Sequence, residues 1–74
     1  KEVKRLEKLV GILEDRIERQ EARTVELEKL MSEPGFFESQ AKSAPVVTEH
    51  KSLRASITRT YEELEAAMTG LERA

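Results

Sequence analysis

The sequence predicts an all-α fold, an antiparallel two-helix coiled-coil hairpin, and three observations carry that reading. Two long stretches repeat apolar residues at alternating spacings of three and four, the signature of a heptad seam. Between them lies a short segment with both prolines and both phenylalanines of the chain. Only 4% of the residues are aromatic while 38% are charged, a composition that suits solvated helices with one apolar stripe better than a thick globular core.

The first seam runs Val3, Leu6, Val10, Leu13, Ile17, Gln20, Thr24, Leu27 and Met31. Leu9, Ile12 and Leu30 are expected to widen the stripe at its ends. Gln20 and Thr24 interrupt it in the middle, where polar groups in a seam cost stability and fix register. Helix 1 is therefore placed at about 2–32. Pro34-Gly35 cannot continue it, because proline lacks an amide proton and glycine is entropically costly in a helix. A connecting loop follows at about 33–44, with Phe36 and Phe37 expected to fold back over the helix ends and close the tip of the seam. Pro45 reads as a first-turn proline, tolerated where an amide would have no partner. Helix 2 is placed at about 45–73, with a seam of His50, Leu53, Ile57, Thr60, Leu64, Ala67 and Leu71 flanked by Tyr61 and Met68.

The flanking charges point to an antiparallel hairpin. One edge of helix 1 is Glu7, Glu14, Glu21 and Glu28; the other is Leu9, Arg16, Arg23 and Leu30. Folding the hairpin brings Arg16 towards Glu63 and Glu21 towards Arg54, rim pairs worth tenths of a kcal/mol that nonetheless select orientation. Helices of this length reach roughly 45 Å. The chain is read as one domain, 1–74, and as a C-terminal fragment of a larger protein, because it opens at Lys1 without methionine and already in helical rhythm.

Most chemistry is excluded by what the sequence lacks. It has no cysteine, hence no disulfide or thiolate metal site, and its single histidine cannot build a histidine-rich centre. The three glycines, Gly11, Gly35 and Gly70, are isolated and make no phosphate loop. Glutamates seven residues apart sit about 10 Å apart along a helix, too far to share a cation. No catalytic residue, cofactor site or metal site is assigned, His50 reads as a seam histidine, and no apolar run is long enough for a membrane span.

The basic residues remain. Net charge is −2, which gives no general pull towards nucleic acid. Locally, Lys1, Lys4, Arg5 and Lys8 outnumber Glu2 and Glu7, and Arg16, Arg19 and Arg23 are placed to align with Lys51, Arg54 and Arg59 across the hairpin. The candidate nucleic-acid-binding residues are Lys4, Arg5, Lys8, Arg16, Arg19, Arg23, Lys51, Arg54 and Arg59. The competing reading of the same residues is a solvated, salt-bridged face. Stacking aromatics are missing from the helix faces, so nothing here reads bases.

Two heptad helices around Leu30-Met31-Ser32-Glu33-Pro34-Gly35-Phe36-Phe37, with Leu53, Ile57 and Tyr61-Glu62-Glu63-Leu64-Glu65 downstream, resemble the C-terminal coiled-coil domain of Uup-type ABC-F ATP-binding cassette ATPases. The likeness spans about Lys4 to Ala67 and departs from the family pattern at Leu64, where tryptophan is usual, and in a shorter basic stretch ahead of helix 1. The resemblance implies a soluble, cytoplasmic, ribosome-associated parent that binds ATP and magnesium outside this segment. It also implies a non-enzymatic accessory domain that binds DNA or RNA. Gly35-Phe36 and Ala44-Pro45-Val46-Val47 also look like the hairpin tip of the tRNA-contacting C-terminal arm of valyl-tRNA synthetases. A third reading is a structural hairpin that packs on the parent's ATPase cassettes or forms a weak homodimer.

Overall fold

The computed structural model describes residues 2–73. It is an all-α helical hairpin: α1, Glu2–Met31, a single 3-10 turn, Phe36–Glu38, and α2, Gln40–Arg73. The two long helices run back along each other in a rod 54 × 15 × 14 Å.

The seam lies where the heptads place it. Leu13, Ile17 and Leu27 of α1 and Thr60 and Ala67 of α2 are buried, and Leu6, Val10, Met31, His50, Leu53, Ile57, Leu64 and Leu71 are half-buried along the same line. Burying one such leucine contributes about 1.5–3 kcal/mol. At the open end Leu6 seats against α2 at Gly70, where an added Cβ would come within 3.1 Å of Leu6 Cδ1. The flanking residues do not join the core: Leu9 is 40% exposed, Ile12 49% and Leu30 39%. With only one neighbouring helix, a residue a quarter-turn off the seam has nothing to pack against.

A polar layer divides the seam. Gln20 Nε2 donates to Ser56 Oγ at 2.8 Å, while Thr24 and Thr60 turn their hydroxyls back to the carbonyls of Gln20 and Ser56, each at 2.9 Å. Gln20 Oε1 is buried and receives no hydrogen bond from the protein. The layer thus satisfies most of its groups at one alignment of the helices, and sliding either helix would leave more of them unpaired.

The tip is set by Pro34-Gly35. Phe36 N donates to the Glu33 carbonyl at 3.1 Å, and Gly35 sits between them at φ 79°, ψ 2°. A proline-glycine pair at the two central positions of such a turn is the type II arrangement, whose third position needs a left-handed residue. Upstream, Ser32 N donates to the Glu28 carbonyl at 3.0 Å and Ser32 Oγ to the same carbonyl at 2.9 Å, closing the end of α1.

Two expectations change here. Helix α2 begins at Gln40, about five residues before the expected start at Pro45. Ser39, extended at φ −113°, ψ 108°, offers its carbonyl to the amides of Lys42 and Ser43 at 3.2 and 2.9 Å, so the first turn closes upstream of the proline. Pro45 falls in the second turn, where it forgoes the bond to the Ala41 carbonyl, and Ala41 and Pro45 both face solvent. The earlier start buries Ser43 and half-buries Val46, adding two positions to the seam. The phenylalanines divide their roles: Phe36 is half-buried, whereas Phe37 is 65% exposed, its ring edge-on to that of Phe36 with centroids 4.8 Å apart. Only Phe36 helps close the tip.

Three substitutions test this packing by chemical denaturation. Leu27→Ala should cost about 2–5 kcal/mol, whereas Leu30→Ala, on the exposed flank, should cost a small fraction of that. Gln20→Leu should raise stability by about 1 kcal/mol, by removing a buried acceptor with no donor. It should also loosen the alignment, seen as additional amide resonances or faster amide exchange around Ser56.

Candidate nucleic-acid interface

The nine cations of the proposed interface fall into two chemical groups. Four are engaged with carboxylates. Arg16 Nη1 lies 3.6 Å from Glu63 Oε2, the cross-hairpin pair expected from the sequence. Arg23 makes a two-bond contact across the hairpin, donating from Nε and Nη2 to the two oxygens of Glu49 at 2.7 and 3.0 Å, with Glu26 at 3.2 Å. Arg5 pairs with Glu2 at 2.6 Å and Arg19 with Asp15 at 3.2 Å, both within α1. The paired fork at Glu49 holds the Arg23 guanidinium proton more firmly than usual and depresses the Glu49 carboxyl below its ordinary value, the hydrogen bond being the larger cause in each case.

The other five, Lys4, Lys8, Lys51, Arg54 and Arg59, are exposed and have no carboxylate within 4 Å among the described residues. Lys4 and Lys8 are one turn apart on α1, beside Arg5 at the open end. Lys1, the remaining cation of that cluster, lies outside the described residues.

The cations do not converge on one face. Arg16 and Arg23 lie on the edge shared with Glu63 and Glu49. Arg54 lines a shallow groove on the opposite edge with Glu21, Thr24, Val25, Glu28, Ile57 and Thr58. The expected Glu21–Arg54 ion pair is absent; Glu21 instead accepts the Tyr61 hydroxyl at 3.1 Å. That bond holds the phenol in its protonated form, raising its pKa. Tyr61 was legible only as a flank of the seam, and its exposed position one turn from Ile57 was the available signal for a partner on the acidic row. At the tip end His50, 13% exposed, places Nε2 3.2 Å from Glu28 Oε2, a further link between the helices. No group of three or more His, Asp or Glu side chains among the described residues could hold a metal, and no described helix is long and apolar enough to cross a membrane.

A thin rod with a filled seam and charged flanks defines a class of protein, the helical-hairpin arm, whose working surface is its exterior. The family model described as "ABC transporter C-terminal domain" matches residues 1–68 of the sequence, and the chain belongs to that family. No curated protein and no solved structure matches it.

The Arg23–Glu49 fork has a pH signature with a definite sign. A carboxylate whose folded pKa is depressed stabilises the fold fully above its unfolded value, about 4.3 for glutamate, and loses that contribution as pH falls through the folded value. Thermal unfolding of the parent chain and of Glu49→Gln should therefore differ most near neutrality, and the two curves should converge on acidification. A gap that persists at low pH would assign the effect to something other than this ion pair.

Proposed function

We propose that the chain is a nucleic-acid-binding accessory arm of a soluble, cytoplasmic ABC-F ATPase, with DNA as its first ligand and ribosomal RNA as the related alternative. The ATP and magnesium chemistry belongs to the parent's cassettes, and this hairpin contributes a surface. Family membership supports the cassette setting over the synthetase resemblance. The observation that carries the binding role is the open end of the rod, where Lys4 and Lys8 project from one face of α1 without carboxylate partners among the described residues, next to Arg5.

This places the weight of the interface differently from a uniform basic stripe. A phosphate must compete with Glu63 and Glu49 for Arg16 and Arg23, whereas Lys4 and Lys8 release only water and counterions when they meet one. Lys51, Arg54 and Arg59 add positive charge on α2. The one aromatic exposed on the described long helices, Tyr61, is tied to Glu21, and the contact is to the backbone and independent of sequence.

A salt titration of binding to short duplex DNA, single-stranded DNA and structured RNA tests the reading. Affinity should fall steeply with salt, and Lys4→Gln with Lys8→Gln should reduce the slope of log K against log salt by roughly two. Arg16→Gln with Arg23→Gln should chiefly lower the unfolding midpoint and leave the slope almost unchanged. Absence of binding at low salt would reject the nucleic-acid role for this chain and leave the hairpin as a protein-packing arm.

A further inference from the structure

The exposed apolar residues of α1 are not scattered. Leu9 and Leu30 are separated by exactly three heptads and so share one face, and Ile12 adjoins Leu9 on it. With Arg5, Leu6 and Lys8, Leu9 and Ile12 line a groove of about 440 Å³ at the open end. At the other end of the same helix the rod finishes in Leu30 and the 65% exposed ring of Phe37, flanked by Glu33 and Glu38, both exposed. One end is thus an apolar groove rimmed by Arg5 and Lys8, and the other an apolar knob beside Glu33 and Glu38, with Lys29 and Lys42 exposed in the helix turns next to it.

We propose that this face is the interface of an antiparallel homodimer, in which the tip of each hairpin lies against the open end of the other. A twofold axis near the middle of α1 brings Leu30 of one copy to the height of Leu9 of the second, across a helix length of about 31 Å. The exposed ring of Phe37 at the tip of one copy is then the apolar group offered to the open-end groove of the other. Glu33 and Glu38 come opposite Lys8 and Arg5, the latter already holding Glu2, so Lys8 carries the charge match, repeated at both ends as an isologous contact requires. The stretch between carries Arg16, Arg19 and Arg23, each already beside a carboxylate: Glu63, Asp15 and Glu49. Two copies therefore meet there as alternating charges rather than as two bare cationic rows. The charge order selects this occupant, since an exposed apolar group flanked by carboxylates, the groove's complement in polarity and sign, is present on the same chain. Pairing covers Lys8, so a second copy and a phosphate backbone compete for the open end.

Sedimentation equilibrium of the 74-residue chain from micromolar to millimolar concentration tests the pairing without nucleic acid. The expected result is a monomer–dimer equilibrium that Phe37→Asp abolishes. Lys8→Glu and Glu38→Lys should each weaken it at least tenfold, and the two substitutions together should recover most of the loss. Circular dichroism should show all variants equally helical, because the three positions are exposed. A monomer throughout the range would overturn the proposal, as would a dimer indifferent to Phe37→Asp or a double variant no better than the single ones.

Discussion

The structure depends on one constraint: two helices can bury only one stripe of each other. A third helix or a sheet would give the flanks of each stripe something to cover, and here there is none. The consequence is visible in how sharply burial falls away from the seam. Leu13 and Leu27 are almost completely enclosed, while Ile12 and Leu30, one position round the helix from a seam residue or its neighbour, stay largely open to solvent. A rod of this kind has no interior beyond the contact line, so a functional site on it has to be a surface, shaped by charge and by exposed side chains.

The same constraint makes alignment a problem. A uniform apolar seam would be nearly as content one heptad out of step, and the margin from so thin a core is small. Gln20 and Ser56 break that degeneracy from inside the seam, at the cost of one buried oxygen without a donor. From outside, Arg16 with Glu63, Arg23 with Glu49, and His50 with Glu28 fall into line only at the same alignment. Individually such exposed pairs contribute little to stability. Their joint effect is on specificity, since a slip by one turn would separate all of them together. Four of the nine cations considered for binding are therefore already engaged with carboxylates, two of these across the hairpin, so basic residues on this rod cannot be counted towards binding without asking what they already hold.

The parts of this that were legible in the sequence are the parts governed by period. Every residue placed on the first seam except Val3 is at least half-buried, and every residue of the second seam is. The Pro34-Gly35 break located the turn for a local reason that needs no tertiary context. What eluded the sequence was decided by competition. A proline usually marks a helix start, but continuing the second seam backwards through Val46 and Ser43 gives the true beginning at Gln40, because burying Ser43 and closing the turn on Ser39 outweigh one lost bond on a solvated face. Likewise Glu21 had two possible partners within reach of its row, and the Tyr61 hydroxyl took it from Arg54.

Those two departures bear on function because both change which groups are free. Drawing Glu21 to Tyr61 leaves Arg54 beside an acidic row without a bonded carboxylate, so its charge is partly offset without being neutralised. Starting α2 at Gln40 shortens the connection, and Phe37, in the 3-10 turn that remains, stays outside the core. The exposed phenylalanine marks the tip, where Glu33 and Glu38 stand among Lys29 and Lys42, and Lys4 and Lys8 stand at the open end without ion-pair partners among the described residues. The two ends therefore differ in kind, an exposed aromatic ring at one and a leucine-isoleucine groove rimmed by Arg5 and Lys8 at the other, on a rod whose two short dimensions are nearly equal.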